Sequence, residues 1–113
     1  MTNLKCSLDI LNECIPVFEM LKDKQRQQIL VYLTEKGQLT VNEIVELSNL
    51  SRPAISHHLK LLLQSELVSF EKIGTQRIYR AELQTSILRL RDLIDALQRD
   101  LTNSLSHDLT EKN

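Results

Sequence analysis

The chain has 113 residues, 42% hydrophobic and 26% charged, with only two glycines and two prolines. This is the composition of one folded, mostly helical domain with a single modest core, and it leaves no room for a second. The formal net charge of −1 excludes a uniformly basic protein, but the charge is unevenly spread: residues 1–50 carry −2, residues 51–80 carry +3 from five basic against two acidic side chains, and residues 81–113 carry −2. Local fields rather than totals steer a polyanion, so a phosphate-binding face is expected in the middle segment.

No apolar run approaches the roughly 18 residues that a membrane span requires, and the opening "MTNLKCSLDILNE" lacks the unbroken apolar stretch of a signal peptide. A cytoplasmic protein with no membrane association is expected. The two cysteines, Cys6 and Cys14, are too few for a secreted disulfide scaffold.

Within residues 8–21, Leu11, Cys14 or Ile15, Phe18 and Leu21 recur at helical spacing, and Pro16 is expected to kink or delimit the helix. Asp23 can cap the next helix, "KQRQQILVYLTEK", whose apolar stripe is Ile29, Leu30 and Leu33 and whose stop is Gly37. Thr40 and Glu43 have the spacing of a capping box, so a helix of about two turns follows, burying Ile44 and Leu47 or Val45. A short interval leads to Ser51, which can cap a further helix that accepts Pro53 in its first turn. Two short helices joined by a tight turn match a helix-turn-helix, whose second helix enters the DNA major groove. The β-favouring runs "LVSFEK" and "RIYRAE" flank Gly74, which can supply the positive φ of a hairpin turn, and a hairpin in this place is a wing.

From about Leu83 the helical pattern returns, with Leu83, Ile87, Leu90, Ile94, Leu97 and Leu101 separated alternately by four and three residues. That heptad seam predicts a helix over 83–106 serving both core and dimer interface. Leu11, Ile15 and Phe18 of the first helix (about 1–21), with Ile87, Leu90, Ile94, Leu97 and Leu101, are the expected dimer contacts. Residues 107–113 are polar and expected to form a frayed tail.

Turning Arg52–Gln64 by 100° per residue separates two faces. Ile55, Leu59 and Leu62 fall together against the core, with Leu63 at the margin. Pro53, Ser56, His57, Lys60 and Gln64 fall opposite, with Arg52 projecting beside them from the first turn. Adjacent histidines point in different directions, whereas zinc ligands on one helix need a spacing of three or four, so no metal site is expected on His57 and His58. His58 is expected to be partly buried and bonded to a backbone group. His57 either donates to a base edge or phosphate or is simply solvated. Arg52 is the candidate for guanine readout, Ser56 and His57 for further groove contacts and Lys60 for phosphate; the wing bears Lys72, Arg77 and Arg80, of which Lys72 and Arg77 are expected to touch phosphate or the adjacent minor groove. The bland alternative for each is a solvated charged face.

These residues resemble those of the ArsR (ArsR/SmtB) family of winged-helix bacterial repressors from about Phe18 to Arg80. "LSRPAISHHLKLL" is similar to the recognition-helix signature, with an S-x-P-x-[IV]-S-x-H-L core; "FEMLKDKQRQQILVYL" is similar to the second-helix region and "LVSFEKIGTQRIYR" to the wing. The resemblance implies a mainly α winged helix-turn-helix with a small β-hairpin, dimerising through its N- and C-terminal helices. It also implies a repressor that binds double-stranded DNA at a palindromic operator and releases it when an effector binds. The family's Cys-x-Cys metal ligands are replaced by Thr40, Val41 and Asn42. Its C-terminal zinc pattern finds Leu97, Asp108 and Glu111 when started at Asp95, or Ile94, Leu105 and Asp108 when started at Asp92. His107 alone cannot close a site, so neither metal nor cofactor is expected. Cys6 and Cys14 remain as thiol-sensing candidates, against the alternative of one buried small hydrophobe and one idle thiol. An enzyme is not expected, because no Gly-rich phosphate loop or activated nucleophile pattern is present. The rival function is a winged-helix protein-interaction module.

Overall fold

The computed structural model describes the backbone of residues 6–111 and the side chains of residues 6–104. Residues 1–5 of the predicted first helix and 112–113 of the predicted tail lie outside the described residues. The order of elements is α1 (Ser7–Leu21), α2 (Lys24–Lys36), β1 (Leu39–Thr40), α3 (Val41–Ser48), α4 (Arg52–Gln64), β2 (Val68–Ile73), β3 (Gln76–Ala81) and α5 (Gln84–Glu111).

Local chemistry sets most of these boundaries. The Asp23 carboxylate accepts from the amides of Gln25 at 2.7 Å and Arg26 at 3.1 Å, opening α2, and Gly37 closes it at φ 87°. Thr40 and Glu43 form the reciprocal capping box of α3, and Ser51 accepts from the Ala54 amide at the head of α4. Asn49, at φ 60°, turns the chain between these two helices. The end of α4 is a Schellman motif: Leu67 N–H bonds the Leu62 carbonyl and Glu66 N–H the Leu63 carbonyl, with Glu66 in the left-handed region at φ 61°. Glycine usually fills that place, which is why this stop has no sequence signal.

One core holds the winged domain together. Ile29, Leu30 and Leu33 of α2, Ile44 of α3, Ile55, Leu59 and Leu62 of α4, and Leu67, Val68 and Tyr79 beside and on the sheet are all buried in it. Val45, not Leu47, accompanies Ile44, for Leu47 is exposed. The predicted hairpin gains a third strand: β1 pairs with β3 at Leu39↔Tyr79, giving the antiparallel order β1-β3-β2. β1 is only two residues long and had no alternation to betray it. Gly74 occupies the β2–β3 turn at φ 62°.

The first and last helices depart from expectation in detail. α1 runs through Pro16 without ending there. Its buried line is Ile10, Cys14 and Val17, and Ile10 and Cys14 form a satellite cluster with Leu93 and Ala96 of α5. Of the residues read at helical spacing, Leu11, Ile15, Phe18 and Leu21 are exposed, and Cys14, the alternative to Ile15, is buried. α1 is apolar over more than half its girth, so periodicity alone does not say which side its own chain covers. α5 continues through residues 107–111, which were expected in the tail. Its length leaves the molecule elongated, with a radius of gyration of 19.1 Å against about 13 Å for a compact chain of this size.

Truncating Ile55, fully buried in α4, to alanine is expected to destabilise the fold by about 2–5 kcal/mol. Ile73→Ala at the exposed wing tip should change stability by less than about 0.5 kcal/mol. Chemical denaturation of the two variants beside the wild type measures the difference.

Candidate nucleic-acid interface

Seating α4 by Ile55, Leu59 and Leu62 leaves Arg52, Pro53, Ser56, His57 and Lys60 exposed, as the helical period requires. Arg52, Ser56 and Lys60, four residues apart, run in a line along one wall of an open cleft of about 560 Å³. The opposite wall is β3 with Gln76, Arg77 and Tyr79, and Thr40 and Asn42 at the head of α3 close one side. Pro53 and His57 are exposed beside this cleft but do not line it, and neither does Lys72. Asn42 and Gln76 line it although sequence reading does not single them out. Asn42 is the second residue of α3 and Gln76 the first of β3, and nothing local marks either as a cleft residue.

The cleft is lined by Arg52, Lys60 and Arg77 and by no acidic side chain. Among the described residues no carboxylate pairs with these three or with Lys72. The third basic residue of the wing behaves differently: Arg80 lies 3.7 Å from Glu71, on the other face of the sheet from Arg77. Lys72 and Arg77 stand directly opposite each other across the strands, where like charges repel. Arg77 gains a compensating contact, its guanidinium carbon lying 4.4 Å from the centre of the Phe70 ring. Phe70 in turn packs against buried Tyr79 at 5.4 Å between centroids, so the cation is tied to the core through two rings.

His58 turns inward. Its Nε2 is 2.8 Å from Oε1 of Gln25 in α2, correcting the expected backbone partner to a side-chain amide. The buried Nδ1 has no hydrogen-bond partner among the described residues. With Gln25 accepting, Nε2 carries a proton. Burial holds His58 below its ordinary pKa of 6.5; Asp23 opposes the shift, and Arg26 and His57 add to it. The two histidine rings are tilted by 52° and do not converge on a common point.

The thiols are equally separated in character. Cys6 is exposed. Cys14 is buried, its Sγ 3.5 Å from the Arg89 carbonyl, and burial first, then Glu13, raises its pKa above 9.0. A thiol held protonated is a poor nucleophile or metal ligand, so Cys14 fits the small-hydrophobe alternative better than sensing. Among the described residues no three His, Cys, Asp or Glu side chains cluster as metal ligands. At the head of α3, Thr40, Val41 and Asn42 offer no thiolate, so the residues present do not fit the family's soft-metal site.

A rigidly seated second helix, a twisted wing beside it and an unpaired cationic cleft between them define a winged helix-turn-helix DNA-binding regulator. The chain belongs to the ArsR family: residues 23–69 match the profile described as "Bacterial regulatory protein, arsR family". It is 41% identical over 73 residues to the transcriptional repressor SdpR of Bacillus subtilis (strain 168), covering 65% of this chain and 78% of that protein. It is 30% identical over 71 residues to the arsenical resistance operon repressor of the same organism, covering 63% and 68%. Among solved structures, the ArsR-like transcriptional regulator from Rhodococcus sp. RHA1 superposes with a TM-score of 0.77 at 25% identity, covering 100% of this chain and 99% of that one. A possible transcriptional regulator for arsenical resistance gives 0.59 at 33% identity, covering 80% and 92%.

Because folded His58 takes up a proton less readily than the unfolded chain, acid favours unfolding. Stability is expected to fall as the pH drops from the unfolded chain's ordinary value of 6.5 toward the lowered folded value. Comparing thermal unfolding of the wild type and His58→Gln from pH 7.5 to 5 checks this, and the variant should show the shallower decline.

Proposed function

We propose that this regulator works as a homodimeric repressor that binds an imperfect palindrome, with each α4 entering one of two successive major grooves about 34 Å apart. The carrying observation is the line Arg52–Ser56–Lys60 facing Arg77 across an open cleft with no acid in its lining. Arg52, on the first turn of α4, reads a guanine through two hydrogen bonds. Pro53, Ser56 and His57 make the remaining groove contacts, short side chains allowing the backbone close approach. Lys60 meets phosphate, and Lys72 and Arg77 reach phosphate or the adjacent minor groove from the wing. A polyanion relieves the Lys72–Arg77 repulsion, so binding DNA removes a cost that the free protein carries.

The second copy is supported by hydrocarbon left in water. Leu11, Ile15 and Phe18 on α1 and Ile87, Ile94, Leu97 and Leu101 on α5 are all exposed, while Leu90 is partly covered by the satellite cluster. Contiguous apolar surface of this kind marks an interface. No helix among the described residues is long and apolar enough to cross a membrane, and a regulator of bacterial DNA works in the cytoplasm. Release by an effector follows the habit of the family; its metal ligands do not carry over to this chain.

Two measurements test the reading. In anisotropy titrations across a salt series, Arg52→Ala should cost about 1–3 kcal/mol on a selected operator and relax preference at one position, while Lys60→Ala should weaken all duplexes and lower the salt slope by about one. Equal losses on operator and random DNA for Arg52→Ala refute its readout role. Replacing Ile94 and Leu97 together by glutamate should turn a dimer into a folded monomer in sedimentation and abolish tight operator binding; an unchanged mass rejects the interface.

A further inference from the structure

One contact in the cleft lies outside the roles assigned to α4. Arg52 donates a hydrogen bond from Nη1 to the side-chain oxygen of Asn42, ten residues earlier and at the second position of α3. Both residues line the cleft. Asn42 is carried on a fixed backbone, because the capping box locks the first turn of α3: Thr40 N–H donates to the Glu43 carboxylate at 2.8 Å, and Glu43 N–H donates to the Thr40 hydroxyl at 3.2 Å. The Ser51 cap fixes the backbone of Arg52 in the same way. The two helix heads are therefore linked by a side-chain hydrogen bond held from a fixed backbone on each side.

The chemistry of that pair suits a reader. An exposed arginine at a helix head samples many rotamers and must surrender them to form two parallel bonds with a base. An amide oxygen occupies one of the five guanidinium donors, narrows those rotamers and leaves the positive charge intact. A carboxylate in its place would hold the group but cancel the charge. The acidic residues of α3, Glu43 and Glu46, make no ion pair with Arg52 among the described residues. We propose that Asn42 is a specificity-determining positioning residue, presenting the Arg52 guanidinium in the pose that reads a base. This rests on the reading of Arg52 given above.

The test uses a duplex selected by the full wild-type chain from a random pool, the single-base-pair variants of that duplex, and a random duplex. Wild type, Asn42→Ala, Asn42→Asp, Arg52→Ala and the double alanine variant are titrated by anisotropy, with thermal unfolding measured on each. Arg52→Ala identifies the base pair whose discrimination it abolishes. Asn42→Ala is expected to lower discrimination at that same pair by about three- to ten-fold, leave random-duplex binding and the salt slope unchanged, and add nothing once Arg52 is alanine. Asn42→Asp, which keeps an acceptor oxygen, should retain the discrimination while weakening every duplex through charge. A uniform loss for Asn42→Ala, or the same loss with Arg52 already alanine, overturns the positioning role. Should Arg52→Ala leave discrimination intact everywhere, Arg52 does not read a base, and both readings fall at that step.

Discussion

The cleft depends on how α4 is seated. Ile55, Leu59 and Leu62 lie in one buried cluster with Ile29 and Leu33 of α2 and Ile44 of α3, and this aliphatic seam fixes the rotation of the helix about its own axis. A turn of 100° toward the cleft side would bury Ser56 and Lys60 and expose Ile55 and Leu62, at a cost of several kcal/mol for the hydrocarbon and more for the charge. Because the helix cannot roll, the polar side chains opposite the seam become a fixed surface. The His58–Gln25 bond adds a directional contact on the flank of the same seam, between α4 and the head of α2.

On that surface, charge is arranged at some expense to the free protein. Arg26, Arg80 and Arg89 each lie near a carboxylate, at Asp23, Glu71 and Glu66. Arg52, Lys60, Lys72 and Arg77 do not, and Lys72 and Arg77 face one another across the wing. A chain with net charge −1 thus still gathers Arg52, Lys60 and Arg77, none of them in an ion pair among the described residues, around one cleft. Local focusing of this kind attracts a polyanion although the total charge would not. The Phe70 and Tyr79 rings stiffen Arg77 so that part of its ordering cost is met before binding.

The long helix follows another logic. α5 packs against α1 through Ile10, Cys14, Leu93 and Ala96, a narrow cluster compared with the core of the winged domain. Leu11 and Ile15 of α1 and Ile87, Leu88, Ile94, Leu97 and Leu101 of α5 lie exposed outside that cluster. In a chain of 113 residues a helix of this length cannot be wrapped by its own domain, since there is too little protein to cover both flanks. Its outer stripe therefore stays available to a second molecule.

Much of this was legible in the residues alone. The capping box at Thr40 and Glu43, the caps at Asp23 and Ser51, the glycine turn at Gly74 and the two faces of Arg52–Gln64 are local: each depends on neighbours within about one helical turn or one hairpin, so spacing reveals it. What the tertiary structure decided was non-local. It paired Leu39 with Tyr79, assigned His58 to Gln25, brought Asn42 to Arg52, set Arg80 beside Glu71, and chose Ile10, Cys14 and Val17 as the side of α1 that its own chain covers. Those choices depend on which surfaces of distant segments meet, and an amphipathic period carries the existence of an apolar face but not the identity of what covers it.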